Sequence, residues 1–452
     1  MNCMKLIFFL FFILTNSYAK SDMRDQLYWE AMDLYKGKNY FSALEKIGSQ
    51  YKYRTPDQNV GHFIEKLVKH TGTHYFNTYK DLELRKMNIP TTDLIMAKRN
   101  LFLKKYKYAS KRLQRMPKGH RFYSESLLVF GTIHYEQKKY KKAEKVWKKC
   151  ARIAKKKEDS EEHKIKRYYA VIKESCVINI ARMKFKQELY DEAIKHYEAI
   201  PKASFKWPYI LLEKAWSYYY LGNYNRAIGI LITYDSPLLE SYFMPEAEVL
   251  KALSYYKLCL YDDALEIVEK YYQNYAPKSN GLKKVINSQK GKLYFYNLMF
   301  SPLEESEKEH RFLRNLITQV SKRVKYNLDL NTLYALNTEL VRSDKKANLG
   351  KVLAVREDLE EQINHYVKVS MFRFINEIYE LSKEMFNLKL EILSDKRTYI
   401  YKSKKSNKIK RGSLKNIDRK DYQEFWTFQN AFWADELGDY SLGLKSQCKS
   451  RK

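Results

Sequence analysis

Between positions 138 and 157 the chain shows its clearest alternation of apolar and polar residues. Apolar or small side chains recur every three or four residues and so share one face of a helix; they are Tyr140, Ala143, Trp147, Cys150 and Ala154. Basic residues form a second stripe, which comprises Lys138, Lys142, Lys145, Lys149, Arg152 and Lys156. The pattern predicts a helix that packs through its apolar face and exposes its basic face to solvent. A dedicated anion-binding arm is the alternative interpretation.

A spacing of 34 residues relates this helix to other parts of the chain. In each copy a small residue is followed nine positions later by Tyr and twelve positions later by Ala. The six copies are Ala31–Tyr40–Ala43, Ala97–Tyr106–Ala109, Gly131–Tyr140–Ala143, Ala181–Tyr190–Ala193, Ala215–Tyr224–Ala227 and Ala252–Tyr261–Ala264. The pattern predicts pairs of antiparallel helices that approach closely at the small residues. Tyr and the bulky residue four positions after the second Ala are expected to fill the space between them.

Prolines and turn residues place the ends of these helices. Pro90, Pro208 and Pro245 each precede the first small residue of a copy by seven positions, and proline suits the first turn of a helix. The turns "GNYN" and "GKNY" contain the Gly and Asn that commonly end a helix. The first helix of each of these copies is therefore predicted to begin at its proline.

This register resembles the tetratricopeptide repeat (TPR), whose unit is also 34 residues long, over about residues 24–275. The resemblance is to TPR proteins of the exported bacterial type, and it implies an all-α fold, a solenoid in which helix hairpins form a right-handed superhelix. It predicts a repeat domain at 20–275, with units around 24–57, 90–123, 124–157, 174–207, 208–241 and 245–278. Residues 48–89 match poorly, and residues 154–169 are either an insertion or lengthened helices.

The C-terminal part of the chain follows a different pattern. Residues 276–395 have apolar positions at mixed spacings of three and four, which predicts long helices rather than a regular coiled coil. Residues 396–416 contain nine Lys or Arg and no acid, so they are predicted to be a flexible basic linker. Residues 417–452 form an aromatic tail that is expected to dock on the helical body. Alternatively the tail is a partner-binding motif, carried by Trp426, Phe432, Trp433 and Tyr440.

The N-terminus predicts export. Lys5 precedes an unbroken apolar run from Leu6 to Leu14, and small residues at positions 17 and 19 fit a signal peptidase site after Ala19. Residues 1–19 are therefore predicted to be a signal peptide and the mature chain to be periplasmic or secreted; a buried N-terminal helix is the alternative. No later stretch is long and apolar enough to span a membrane.

The net charge of the chain limits the classes of partner that it is expected to bind. The formal net charge is +31, and an exported protein with this charge is expected to meet an acidic protein or an anionic wall polymer rather than nucleic acid. A lysine-rich composition with no functional role would also explain the charge.

Four cysteines remain after cleavage and match no metal spacing: Cys150, Cys176, Cys259 and Cys448. Free buried thiols are favoured for them, although an oxidising compartment permits disulfides.

No catalytic or cofactor motif is present in the sequence. It contains no nucleotide-binding loop, no Gly-rich dinucleotide turn, no Gly-x-Ser-x-Gly and no His-Glu-x-x-His. His70 and His74 have the spacing of a metal pair, but Gly72 weakens a helix between them and no third ligand is near. The sequence therefore predicts a non-catalytic interaction scaffold of the bacterial envelope that needs no cofactor. The alternatives are a polymer-binding protein and an enzyme of unrecognised type.

The TPR resemblance also implies where a partner binds, because first helices line the concave groove of such solenoids. The residues at those places are Lys98, Leu101, Phe102, Thr132, Tyr135, Arg182, Phe185, Lys186, Trp216, Tyr219, Tyr220, Tyr256 and Lys257. Aromatic side chains there would supply contact area and cations would select an acidic ligand. Trp216 is expected to have no role in the internal packing of its repeat. Alternatively several of these aromatics pack against the insertion or the docked tail.

Overall fold

The computed structural model describes residues 26–49, 58–160, 163–287, 291–300, 308–343, 349–402 and 431–448. Every regular element within these ranges is a helix, which confirms the all-α fold class. The chain divides into two compact units: residues 1–173 with 324–363, and residues 174–323 with 364–452. We call them the first and the second unit and describe each by itself.

The helices of the first unit form consecutive hairpins. They are α1 (26–36), α2 (Tyr40–Ser49), α3 (Gln58–Thr71), α4 (Asp81–Met87), α5 (Pro90–Phe102), α6 (Tyr106–Leu113), α7 (Tyr123–Glu136) and α8 (Tyr140–Ser160), with α17 (Val324–Arg342) from later in the chain. α9 (His163–Lys186) begins in this unit and α18 (Leu349–Lys402) starts there too. Residues 154–169 thus consist mainly of lengthened helices, since α8 ends at Ser160 and α9 begins at His163.

Close helix contact explains the small residues of the repeat. A side chain at Gly131 of α7 would overlap the indole of Trp147 on α8. The indole N–H of Trp147 donates to the carbonyl of Leu128, 3.1 Å away. Ala143, Trp147 and Ala154 are almost completely buried, whereas Lys142, Arg152 and other members of the basic stripe are exposed. The predicted amphipathic helix is confirmed.

α17 is fixed to the N-terminus of α2 by a buried carboxylate. Glu339 accepts hydrogen bonds from the backbone N–H groups of Phe41 and Ser42, each at 2.8 Å, and from the hydroxyl of Ser42 at 2.7 Å. The first N–H groups of a helix have no partner within the helix, so a carboxylate there satisfies them and meets the positive end of the helix dipole. A residue from the C-terminal part of the sequence thus completes the first hairpin.

The second unit continues the hairpins and adds the C-terminal elements. Its helices are the end of α9, then α10 (Tyr190–Glu198), α11 (Trp207–Tyr220), α12 (Tyr224–Ile232), α13 (Pro245–Lys257), α14 (Tyr261–Asn287), α15 (Tyr294–Leu298), α16 (Lys308–Ser321) and the remainder of α18. The repeat residues Ala181, Ala193, Ala215, Ala227 and others of their kind are inaccessible to solvent. α5 and α13 begin at their prolines and α11 begins one residue before Pro208, as predicted.

All six hairpin turns share one backbone feature that the sequence does not show. The residue two positions before the second helix has a positive φ, between 55° and 76°, in every hairpin. These residues are Lys38, Lys104, Lys138, Glu188, Gly222 and Cys259. Only one of them is the glycine that usually ends a helix in this conformation. The six turns therefore share their backbone geometry but not the residue type at this position.

α18 is a single helix of 54 residues, and part of it packs on the last repeat hairpin. Leu381, Met385, Leu388 and Ile392 form one cluster with buried residues of α13 and α14. The hydroxyl of Tyr272 on α14 donates to the carbonyl of Ser382 at 2.8 Å. The helix continues to Lys402, so the linker predicted from residue 396 is wrong for residues 396–402. The rest of that segment lies outside the described residues.

The predicted signal peptide and Trp426 also lie outside the described residues. Among the helices that the structure describes, none is long and apolar enough to cross a membrane.

Candidate functional site

In the first unit, most of the predicted groove residues already have partners within the fold. Lys98 forms an ion pair with Glu125, and the hydroxyl of Thr132 donates to the carbonyl of Leu128 at 3.0 Å. Tyr135 is half-buried, and its ring lies 5.9 Å from the ring of Trp147. Leu101 is also half-buried. Phe102, at the end of α5, is 87% exposed and is the predicted groove residue most open to a partner in this unit.

In the second unit, α9 and α11 are joined by an ion pair across their exposed sides. The guanidinium of Arg182 donates to both carboxylate oxygens of Glu213, from Nε at 2.9 Å and from Nη2 at 2.6 Å. These hydrogen bonds raise the pKa of Arg182. Such a two-point contact holds both side chains in one geometry. Arg182 is therefore already matched by an acid of its own chain, which leaves less of its charge to select an acidic ligand.

The aromatic residues of the same surface form a stack of three rings. Tyr220 at the end of α11 lies between Tyr190 and Trp216, with ring centroids 5.2 Å and 5.7 Å apart and planes tilted by 11° and 26°. Phe185 contacts both tyrosines edge-on, at 5.4 Å from Tyr190 and 5.7 Å from Tyr220. Tyr219 adds a further edge contact to Tyr220 at 5.6 Å. We call Phe185, Tyr190, Trp216, Tyr219 and Tyr220 the aromatic stack.

Most of the aromatic stack is half-buried, but Tyr220 is 53% exposed. Tyr190 and Trp216 both stack on Tyr220, so a partner would meet the part of the ring that they leave exposed. Stacking in this way fixes the ring before any partner arrives, and binding by a fixed ring costs little conformational entropy. Tyr190 was not among the predicted groove residues; its place in the repeat pattern marked it only as a packing residue.

Trp216 is part of the internal packing, which corrects the sequence-based expectation. Its indole N–H donates to Glu246 on the next hairpin at 2.7 Å, and its ring packs against the core cluster around Ala215 and Leu250. Trp216 thus links two repeats.

The carboxylate of Glu246 also acts on an acid of α18. Burial, followed by the charge of Glu246, raises the pKa of Glu377 on α18 to about 7, while Arg323 acts in the opposite direction.

Of the last two predicted groove residues, Tyr256 contacts α18. The hydroxyl of Tyr256 donates to Asp395 at 2.8 Å, and burial is the main cause that raises its pKa. Lys257 is exposed, as is Lys186 at the end of α9. The structure therefore brings five predicted residues, Arg182, Phe185, Trp216, Tyr219 and Tyr220, to one surface. Tyr256 bonds to α18 instead, which is neither the insertion nor the docked tail named in the alternative prediction.

The C-terminal tail binds along α12, the second helix of the α11–α12 hairpin. The backbone N–H and carbonyl of Leu444 bond to the side-chain amide of Asn225, at 3.2 Å and 3.0 Å. The N–H of Leu442 donates to the carbonyl of Asn225 at 3.2 Å. Arg226 donates to the carbonyls of Asp439 and, at 3.0 Å, of Tyr440. These contacts recognise the main chain of an extended segment.

Two glycines let the tail approach closely. A side chain at Gly229 of α12 would overlap the backbone of Tyr440 and lie 2.7 Å from the Cα of Ser441. Gly438 has a φ of +82°, and a side chain there would lie 2.8 Å from Leu211 and 2.9 Å from Trp207. The N–H of Gly438 donates to the hydroxyl of Thr233 at 2.9 Å. A glycine inside a helix often marks such an approach, and Gly229 was the sequence signal that could have located this site.

The end of the tail is held covalently. Cys448 forms a disulfide with Cys259, the residue with positive φ in the turn between α13 and α14. The prediction of free thiols is therefore wrong for these two residues. Cys150 and Cys176 are not free thiols either. The tail docks as predicted: Phe432 and Tyr440 pack against the core cluster around Trp207, whereas Trp433 is 65% exposed.

Lys251 in the second unit is also paired with acids of its own chain. A cavity of about 360 Å³ in the second unit is lined by Asp235, Glu248 and Lys251, among others. Burial alone would lower the pKa of Lys251, but Glu248 and Asp235 outweigh it and raise the pKa. Lys251 is consequently a charged partner of two acids and not a neutral nucleophile.

The two histidines with metal-like spacing point to different partners in the first unit. His70 stacks on Tyr40 at 3.9 Å, and His74 pairs with Asp329. The described residues contain no group of three or more potential ligands that could hold a metal ion.

Comparisons with known proteins add little to this geometry. No family model matches the chain, and no curated protein matches it. Among solved structures it is similar to the Rap conjugation gene regulator of the plasmid pLS20, in complex with the Phr* peptide, at 13% identity and a TM-score of 0.29. The alignment covers 78% of this chain and 96% of that one. So low a TM-score carries no argument here. The geometry alone defines an all-helical protein of stacked repeat hairpins.

Proposed function

We propose that this chain is a non-catalytic scaffold of the bacterial envelope, that its hairpins are TPR units, and that it binds a partner protein at the aromatic stack. The observation that carries the proposal is the placement of Tyr220. This ring is half-exposed at the surface of α11 yet is fixed between Tyr190 and Trp216. Rigid, partly exposed aromatic residues are the kind that dominate the binding energy of protein interfaces.

The chemistry of the surface defines the expected partner. Arg182 is matched by Glu213, so little of its charge is left to select acidic groups, whereas Lys257 is exposed at the end of α13. We therefore expect a segment that offers apolar side chains to the stack and a limited number of acids at its margins. Export after Ala19 is part of the proposal, and mass spectrometry of the N-terminus of the cellular protein tests it separately.

Photocrosslinking tests the site. A benzophenone-bearing phenylalanine in place of Tyr220 should yield a discrete crosslinked protein when intact envelopes are irradiated. The same probe at Tyr108, which is exposed on the second helix of another hairpin, is the matched control and should not capture that protein. Equal capture at both positions, or no capture at position 220, would contradict the proposal.

A second candidate function is favoured by the basic face of α8. Lys142, Lys145, Arg152 and Lys156 are exposed on one helix of the first unit, and such a stripe attracts polyanions. Cosedimentation with purified wall sacculi tests it. Wild-type binding should fall steeply between low and high ionic strength, and replacing all four residues with Gln should abolish it. Binding that ignores salt and these substitutions would exclude this role.

A further inference from the structure

α18 carries two apolar stripes, and the fold uses only one of them. The buried stripe alternates in steps of four and three and comprises Val367, Met371, Phe374, Ile378, Leu381, Met385, Leu388 and Ile392. All eight side chains are buried, and the later ones pack on α13 and α14. This stripe packs the helix into the second unit, together with hydrogen bonds such as those of Tyr256 to Asp395 and Tyr272 to Ser382.

The second stripe runs along an exposed side of the same helix. Its apolar members are between 36% and 54% exposed, and they are Val369, Phe372, Tyr379, Phe386, Leu390 and Leu393. Together with Asn376 and Lys383 they alternate in steps of three and four from position 369 to position 393. This is the a/d pattern of a coiled-coil seam, with Val369, Asn376, Lys383 and Leu390 at a and the others at d. We call it the exposed seam.

The exposed seam is as large as the largest apolar patches that a monomeric protein normally leaves open. Given the ordinary size of these side chains, their exposed fractions correspond to roughly 500 Å² of apolar surface, at the upper end of the patches that monomers expose. Two copies of the seam facing each other would bury about 1,000 Å², which is the lower limit for a specific interface. Residues 369–393 span about 36 Å at the rise of an α-helix.

We propose that the exposed seam is the dimer interface of this protein, in which two copies of α18 pair in parallel and in register. The polar residues select this occupant. Asn at an a position is satisfied by the same Asn of a parallel partner, and it fixes two strands and their register. In an antiparallel pair centred on the seam, Asn376 would face Phe386 and its amide would be buried without a partner.

Lys383 is compatible with this arrangement because its charge is already balanced. Its ammonium group donates to the carboxylate of Glu380 at 3.1 Å and 3.3 Å and lies 4.2 Å above the ring of Tyr379. A second copy would therefore meet a lysine whose charge is paired with an acid of its own helix. Its long side chain can direct the ammonium group to the edge of the seam.

Light scattering on the purified full chain tests the pairing. The wild-type chain at micromolar concentration should have twice the mass of one chain, and Phe386→Glu should have the mass of one. Asn387→Glu places the same charge at the neighbouring exposed position outside the seam and should stay dimeric. Unchanged helicity of Phe386→Glu by circular dichroism separates loss of pairing from loss of fold. A monomeric wild-type chain would overturn the proposal and leave the seam to a different kind of partner.

Crosslinking tests the direction of pairing. Phe386→Cys should form a disulfide-linked dimer under mild oxidation, because d positions of a parallel pair face each other, whereas Asn387→Cys should not. A dimer that shows no crosslink at position 386 would overturn the parallel arrangement. Leu390→Glu provides a second disruption of the seam, and a dimer that survives both Phe386→Glu and Leu390→Glu would also refute the proposal.

Discussion

The α11–α12 hairpin presents two surfaces that differ in the groups they offer for binding another segment of protein. Along α12 the chain's own tail lies against Asn225, Arg226 and Gly229 and is recognised through its backbone. Along α11 the aromatic stack leaves Tyr220 half-exposed. The first surface shows how this fold holds an extended chain. At the second surface the guanidinium of Arg182 is already engaged by Glu213.

This difference suggests what each surface contributes to binding. Main-chain hydrogen bonds provide affinity with little dependence on sequence, so a surface like that of α12 suits a permanent, covalently secured segment. A fixed aromatic stack provides shape and apolar area, so it discriminates among side chains. We therefore expect substitutions along α12 to change stability and substitutions at Tyr220 to change recognition.

The largest expected effect on stability comes from a substitution that unfolds the α11–α12 hairpin and so removes both surfaces together. Ala215 lies at the centre of the hairpin and is inaccessible to solvent. Ala215→Arg places a charge in a space with no partner, and the free energy of unfolding should fall by several kcal/mol, on the order of 5. Ala227→Arg should act alike. Ala199→Arg, at an exposed position after α10, is the control and should leave the thermal unfolding midpoint almost unchanged.

Trp216→Ala separates packing from recognition on the aromatic stack. The substitution removes the hydrogen bond to Glu246 and the stacking on Tyr220, and it should cost about 3 kcal/mol of unfolding free energy, near the lower limit for truncating a large aromatic residue. Glu246→Gln keeps an acceptor for the indole and should cost much less. An unchanged unfolding midpoint in Trp216→Ala would restore the sequence-based expectation that this ring serves only a partner.

The repeat could be predicted from sequence because its determinants are local and steric. Gly131 must be small because Trp147 covers it, and both lie within one hairpin. The C-terminal helix could not be resolved in the same way. Its two stripes lie on different sides of the helix but interleave along the chain, so the apolar residues of Met371–Ile392 and Phe372–Leu393 merge into one irregular pattern in the sequence.

The candidate site was predicted in part. The TPR resemblance placed Phe185, Trp216 and Tyr220 on one surface, and the structure brings them together. It could not show that Lys98 and Arg182 are matched by acids, since Glu125 and Glu213 lie about 30 residues further along the chain and a single sequence does not encode that pairing. The tail was expected to dock, but its position depends on contacts between residues more than 200 apart.

Gly229→Ala tests the tail-bound surface by whether it raises or lowers the free energy of unfolding. In an unoccupied helix, alanine in place of glycine should stabilise by about 1 kcal/mol. With Tyr440 and Ser441 against Gly229, the new methyl group must displace the tail, and we expect a net loss of about 2 kcal/mol. Hydrogen exchange at residues 439–444 should accelerate. Gly350→Ala, where nothing lies within 4 Å of the added atom, is the control, and a stabilised Gly229→Ala chain would contradict this docking.

The half-buried carboxylate of Glu377, near Glu246, can be tested by the pH dependence of stability in Glu377→Gln. Because the folded pKa of about 7 lies above the ordinary value of 4.5, the folded state binds the proton more tightly than the unfolded state does. The wild-type chain should therefore lose stability as pH rises from about 4.5 to about 7. Since the group is partly solvated, we expect Glu377→Gln to be more stable by about 1 kcal/mol at pH 8. Equal stability differences at pH 4 and pH 8 would contradict this shift.

Tyr220→Ala should have the smallest effect on stability and the clearest effect on recognition. The ring stacks on Tyr190 and Trp216 but is half-exposed, so its removal should cost only about 1 kcal/mol. The remaining rings keep their contacts with Phe185, Tyr219 and Glu246, and the tail-bound surface on α12 is untouched. The partner identified by photocrosslinking at position 220 can then be captured with purified chain. If the aromatic stack selects side chains of that partner, Tyr220→Ala should capture at least tenfold less of it than the wild-type chain, whereas Tyr108→Ala should capture the same amount. Full capture by Tyr220→Ala combined with loss in Trp433→Ala would instead place recognition on the exposed tryptophan of the tail.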